Sequence, residues 1–135
     1  TDSNVFISVA EALRLLEYGQ RLNERTRAAF ARSNGSTGRA LYDEALRGGA
    51  QALGQACGGI AAGMRADIVA LDETAPALIG RSGDDLLDGW IFAGDNRLVR
   101  DVWAAGRPVV SDGRHVERER VRARFGRVMA DLLRA

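Results

Sequence analysis

Lysine is absent from this chain of 135 residues, and cysteine, histidine and proline number only one, one and two. A single cysteine, Cys57, excludes an internal disulfide. Its apolar, small-residue surroundings predict a buried structural thiol and not a nucleophile. A single histidine, His115, excludes any metal motif built on paired histidines within the chain, such as HxH or HExxH. A Ser/His/Asp triad would have to use His115, whose setting (GRHV, ahead of an Arg-rich segment) reads as a surface turn. Without lysine, all 19 basic side chains are Arg, and 18 Asp and Glu offset them to a formal net charge of +1. With so many Ala and Gly, the arginine excess reads as a high-GC coding bias. The acidic residues are interspersed, so no field draws nucleic acid or an anionic membrane surface. No run approaches the ~18 apolar residues of a spanning helix. No basic-then-apolar leader opens the chain, so cytoplasm is the expected location. The chain opens on Thr1 and not Met, which fits a processed or truncated protein.

What is present is globular in balance: 46% apolar and 27% charged residues. The sequence changes character near Gly58. Helical periods dominate before it, and strand-like runs and turns dominate from there to Val116. Ser8-Val9-Ala10-Glu11 has the form of a capping box, and a helix is expected over residues 8–32. Its core-facing row would be Ala12, Leu16, Gly19, Asn23, Thr26 and Phe30, flanked by Leu15, Leu22 and Ala29. Arg14, Arg21, Arg25 and Arg27 would lie off that row. NGSTG (34–38) is a break. A second helix is expected over 38–55 with Leu41, Ala45, Leu46, Ala50 and Leu53 inward. Gly48-Gly49 weakens it by about 1 kcal/mol per Gly relative to Ala and offers a place for close packing. Gly54 or Gly58-Gly59 supplies the stop.

Ile68-Val69-Ala70-Leu71 is a short β-branched run between two Asp residues, read as a strand buried on both faces. Residues 74–84 read as an irregular connection, 85–89 as one helical turn and Trp90–Ala93 as a second short strand. A hairpin is expected over 98–104 and 107–111, turning at Ala105-Gly106. Residues 111–113 form a further turn, 114–116 close the sheet, and 117–134 make an amphipathic helix with Val121, Phe125, Val128 and Leu132 on one row.

The chemistry legible in the residues is sparse. GGIAAG (58–63) lacks a following Lys-Ser/Thr and precedes a strand, so it does not cradle phosphate. Arg65 and Asp67 read as turn and capping groups. Asp2 differs by context: Thr1-Asp2-Ser3-Asn4 stands directly before a capped helix, where a βα loop sits at the catalytic face of a barrel. A carboxylate there can ligate a metal or accept a proton.

The motifs GGAQALG (48–54) and GGIAAGMRADIVALD (58–72) resemble the closing signature of the amidohydrolase superfamily. The flanks narrow the resemblance. Residues 1–30 are similar to the segment after barrel strand eight in formimidoylglutamate deiminases. Residues 86–116 and the RVRARF run (120–125) resemble their C-terminal region. The resemblance implies an α/β fold: the last helices of a (β/α)8 barrel (1–57), strands of a small β-sandwich (58–116) and a final helix (117–135). It implies a zinc enzyme of histidine degradation that converts N-formimidoyl-L-glutamate to N-formyl-L-glutamate and ammonia. Asp2 matches the family's metal-binding Asp after strand eight, and its implied roles are zinc ligation and help in taking the proton from the attacking water.

The family's HxH, its later metal His, its catalytic Glu and His and its substrate-carboxylate groups have no counterpart here. One Asp cannot make a catalytic zinc site, which takes about three protein ligands, and a complete barrel takes ~250 residues. The resemblance thus implies the tail of an enzyme, inactive alone. Its expected partners are the preceding part of the same polypeptide, a small-molecule substrate and a second copy in a dimer, with no nucleic acid and no membrane. Two other readings stay open: the tail of another amidohydrolase, such as an aromatic deaminase or an imidazolonepropionase, and a non-catalytic α/β assembly module.

Overall fold

Ser8 starts the first helix as expected. The computed structural model, which describes residues 5–31 and 35–134, holds its backbone extended, and its Oγ accepts from the Glu11 amide at 3.2 Å. That satisfies one of the orphan amides of a helix start. Helix α1 spans Val9–Glu24 and ends at Arg25 in the left-handed region, φ 53°. It stops well short of residue 32 because the chain is pulled back onto it. The Glu17 carboxylate accepts the backbone amides of Ala29 (2.9 Å) and Phe30 (3.0 Å), and a second left-handed residue, Ala28, completes the reversal.

The buried row of α1 is not the expected one. Ala10, Leu13 and Glu17 face the core, whereas Leu15, Leu16 and Leu22 are 60%, 47% and 82% exposed. Arg14, expected to point away, reaches inward to backbone oxygens. The row marked by the periodicity is largely exposed, and α1 ends before its last two members, Thr26 and Phe30. The packing within this chain uses the adjacent one.

Helix α2 spans Thr37–Leu53, with Ser36 Oγ accepting the Arg39 amide at 2.9 Å. Gly54, φ 61°, ends it and returns its N–H to the carbonyls of Ala50 and Gln51. This is the glycine stop that the sequence proposed. Leu41 is buried, Leu46 and Ala50 are half-buried, and Ala45 and Leu53 are exposed against expectation. Nothing lies within 4 Å of a Cβ built on Gly48 or Gly49, so close packing is not their role here. It falls instead at Gly38, where a Cβ would sit 2.8 Å from Asp88 N and 2.9 Å from Leu87 C.

Strand β1, Ile68–Leu71, pairs antiparallel with β2, Val99–Ala104. Strand β3 is Arg107–Ser111 and β4 is Arg114–His115, and the four strands lie in sequence order in one antiparallel sheet. Ala105 and Gly106 both have positive φ (51° and 76°), as a two-residue turn matched to strand twist requires. Asp112 and Gly113 repeat the device between β3 and β4. As a sheet edge covered by one neighbour, β1 leaves Val69 exposed, so it is not the doubly buried strand of the sequence reading.

The second predicted strand is also corrected. A short helix α3, Asp85–Asp88, runs straight into a π-helical turn, Gly89–Ala93, containing Trp90, Ile91 and Phe92. A short apolar run does not by itself distinguish a buried strand from a buried helical turn. Here the helical nucleus of α3 is already formed, and extending it costs less than starting a strand. Trp90 and Ile91 join Ala10, Leu13, Leu41 and Leu78 in one core cluster. After a 3-10 turn at Asn96–Leu98 the chain enters β2. The last helix, α4 (Arg118–Leu132), buries no residue, and its apolar row of Val121, Phe125, Val128 and Leu132 faces outward.

Candidate functional site

Asp2, the one sequence-predicted catalytic and metal-binding residue, lies outside the described residues. What the structure shows is the apparatus that fixes the chain just after it. Asn96 occupies the first position of the 3-10 turn, and its side-chain amide works in both directions. Its Nδ2 donates to the carbonyl of Ile7 at 2.8 Å, and its Oδ1 accepts from Ser8 Oγ at 2.9 Å. Ser8 thus uses its single hydroxyl twice, as donor to Asn96 and as acceptor from Glu11. One helical turn further on, Arg14 donates from Nε to the Ile91 carbonyl (2.7 Å) and from Nη2 to the Gly94 carbonyl (2.5 Å). The start of α1 is therefore bound to the π-helical turn and to the loop that joins it to β2.

The loop has its own reasons for being rigid. A Cβ on Gly94 would lie 2.2 Å from Leu98 Cδ1 and 3.0 Å from the Trp90 carbonyl. Asp95 caps the 3-10 turn, accepting the Arg97 amide at 2.8 Å. Its hydrogen bonds from the Arg97 guanidinium and amide hold its carboxyl below the usual carboxylate range.

Glu17 is a functional-looking group that sequence reading missed. Its side chain is 0% exposed and receives Arg21 Nε at 2.6 Å besides the two backbone amides. The Arg21 guanidinium lies 5.3 Å from the Tyr18 ring centroid and 5.6 Å from that of Phe92. With every acceptor engaged by the chain itself, this buried carboxylate is structural. The Glu17/Arg21 spacing of i,i+4 was the one signal that could have found the pair.

Between α2 and β1 lies an open, largely apolar groove of about 530 Å³, lined among others by Tyr42, Leu46, Ala50, Ile68, Val69 and Trp90. Burial pushes the Tyr42 phenol up, and its ring meets Trp90 edge-on at 5.8 Å. Trp90 Nε1 is buried without a hydrogen-bond partner among the described residues. Cys57, expected to be buried, is half-buried on the lining of this groove. No three His, Cys, Asp or Glu side chains converge as a metal site among the described residues. His115 stands exposed in β4, its Nδ1 accepting from the Glu117 amide at 3.0 Å. Arg65 and Asp67 have the structural roles read for them. They form an ion pair at 3.1 Å, and Asp67 accepts the Ala105 amide at 2.8 Å, tying β1 to the hairpin turn.

The chain is 53% identical over 134 residues to the formimidoylglutamate deiminase of Pseudomonas aeruginosa (strain PAO1), a match covering 98% of this chain and 30% of that protein. Along nearly its whole length the chain is thus similar to part of a formimidoylglutamate deiminase. It spans about a third of the curated relative that it matches. A crystal structure of an amidohydrolase from Brucella melitensis shares its fold with a TM-score of 0.85 at 42% identity, over 98% of this chain and 29% of that one. No protein-family model matches the chain. The mixed helices and antiparallel sheet described above are thus shared with a segment of that amidohydrolase. No described helix is long and apolar enough to cross a membrane.

Proposed function

We propose that this chain is the C-terminal part of an enzyme that hydrolyses N-formimidoyl-L-glutamate to N-formyl-L-glutamate and ammonia, in the cytoplasm. The observation that carries the reading is the 53% identity to a formimidoylglutamate deiminase along nearly the whole chain. In this reading, residues 1–57 close a (β/α)8 barrel, 58–116 belong to a small sandwich and 117–135 are its final helix. The reaction adds water to the amidine carbon and expels ammonia, leaving the formamide on the glutamate nitrogen. A zinc ion would supply a bound water acidified from ~15.7 to about 7. The described residues do not fit a zinc site by themselves, so its ligands lie elsewhere, and Asp2 is the one that this chain contributes. The remaining ligands and the groups that choose the substrate belong to the preceding part of the polypeptide.

The test is ammonia release from N-formimidoyl-L-glutamate by the full-length protein. Release in the presence of zinc is expected, and chelation should abolish it. No release, together with deamination of a purine or pyrimidine, would reassign the chain to another amidohydrolase.

A further inference from the structure

We infer that the groove between α2 and β1 seats an extended segment of the preceding part of the polypeptide, added to the free edge of β1 as a further strand. The inference rests on the reading above only in that the chain continues a longer polypeptide. The backbone of β1 shows which of its groups are open. The Asp72 amide donates to the Leu98 carbonyl and the Ala66 carbonyl accepts from the Gly106 amide, both at 2.8 Å. Alternate residues of an antiparallel strand send their N–H and C=O groups to the same side. Ile68 and Ala70 therefore bond toward β2, and the amides and carbonyls of Val69 and Leu71 point away from it. Among the described residues no other strand borders β1. Donors and acceptors repeating at every second residue are the pattern that another extended peptide matches.

The two edges of the sheet are built differently. Strand β4 is two residues long, and Arg114 and His115 are both exposed and polar. A short, charged strand is a guarded edge, one that resists pairing. Strand β1 reads Ile-Val-Ala-Leu and carries neither a charge nor a proline, the usual guards. The groove supplies the side-chain half of the recognition. Ile68, Val69 and Leu71 contribute to one wall, and Tyr42, Leu46 and Ala50 of α2 to the other. A strand laid about 4.8 Å from β1 would send alternate side chains to opposite faces of the sheet, one set of them onto this apolar lining. A lipid or a small apolar molecule would suit the walls but leave the backbone groups of Val69 and Leu71 unmatched. The chain spans 30% of the deiminase that it matches, so the rest of the polypeptide has ample length to provide one strand.

The test is residue-resolved amide exchange on the full-length protein, with Val69→Lys as the variant. In the parent, the Val69 and Leu71 amides should exchange at least about 100-fold more slowly than in an unstructured peptide, as those of Ile68 and Ala70 do. Val69→Lys sets a charge in the groove and should quicken exchange at Leu71 by at least about tenfold, with Ala70 changed by less than about twofold. A photoreactive benzophenone placed at Leu53, on the groove lining and 65% exposed, should cross-link within one polypeptide to a peptide preceding residue 1. Free exchange of Val69 and Leu71 in the parent overturns the inference, as does a Leu71 amide indifferent to a folded Val69→Lys. A cross-link joining two copies, or one confined to residues 1–135, also overturns it. Exchange in the parent and the cross-link decide the matter even where Val69→Lys fails to fold. Neither readout uses N-formimidoyl-L-glutamate. Ammonia release by a protein whose Val69 and Leu71 amides exchange freely would overturn this inference and leave the deiminase reading standing, and protected amides in a protein without that activity would do the reverse.

Discussion

Glu17 shows how one side chain can decide where a helix ends. Fully buried, it accepts two amides from the returning chain and a guanidinium from its own helix. Truncation to alanine would leave the Ala29 and Phe30 amides without their acceptor, at about 1–3 kcal/mol each. We predict that Glu17→Ala destabilises the protein by roughly 2–6 kcal/mol, read as a lowered urea midpoint, with the largest loss of protection over residues 25–31. A change below about 0.5 kcal/mol would show that another group takes over the amides.

Three surface carboxyls argue at the same scale. Asp95 beside Arg97, Asp101 beside Arg100 and Asp72 bonded by the Thr74 hydroxyl and amide are all held below the usual carboxylate range. A carboxyl whose folded pKa is depressed contributes stability that is present above its unfolded value, about 3.9. That contribution is lost as pH falls through the folded value. Stability should therefore decline on acidification below about pH 4, and Asp95→Asn should flatten that decline in a pH series of urea midpoints. An unchanged slope would remove Asp95 from the account.

Among the elements, the glycines of α2 give a paired test. A methyl on Gly38 would collide with the backbone of Leu87 and Asp88, while one on Gly48 would meet nothing within 4 Å. Gly38→Ala should cost about 1–3 kcal/mol by overpacking. Gly48→Ala, in an open helix interior, should gain about 0.5–1 kcal/mol. Melting temperatures of the two variants of the 135-residue chain check the order. A loss at Gly48 in the full-length protein alone would reveal a neighbour against that face.

Sequence patterning recovered elements better than it recovered their environments. The Ser8 and Ser36 starts, the Gly54 stop, the Ile68–Leu71 strand and the Ala105-Gly106 turn were all legible, because each is settled by its own few residues. Trp90–Ala93 was not, since an apolar run of four suits either a strand or a helical turn and only its neighbours decide. The buried face of α1 was missed for a different reason. The stronger apolar row, with Leu16 and its neighbours Leu15 and Leu22, is open in this chain, and the packed row contains a charged residue, Glu17. Of the candidate site, the Ser8 cap was legible. The clasp by Asn96 was not, because no local pattern marks a contact between residues 88 apart.

At the scale of the whole molecule, the exposed apolar surface is the dominant fact. The outer row of α1, the entire apolar row of α4, Ile60 and Val69 face solvent, and among the described residues β1 and β4 each leave one edge of the sheet unpaired. Surfaces of this kind mark interfaces or aggregation sites. On the reading proposed above, the preceding part of the polypeptide covers them; the chain spans 30% of the relative that it matches. We predict that the isolated 135-residue chain self-associates or binds a hydrophobic dye strongly at micromolar concentration, and that the full-length protein does neither to the same degree. Sedimentation of the isolated chain as a stable, dilute monomer with little dye binding would overturn this.

The clasp between α1 and the loop at 91–96 also carries a schedule. Its four hydrogen bonds join residues 77 to 89 positions apart. Such distant contacts close late, after the entropy of a long loop has been met. A ribosome adding about 5–20 residues per second needs roughly 5–20 s to go from Ser8 to Asn96. For that interval α1 can hold its cap and the Glu17 reversal, but its start lacks the contacts to Asn96, Ile91 and Gly94. The stretch preceding it is fastened only when the loop arrives, so the order of synthesis makes the last third of this chain the step that locks the first.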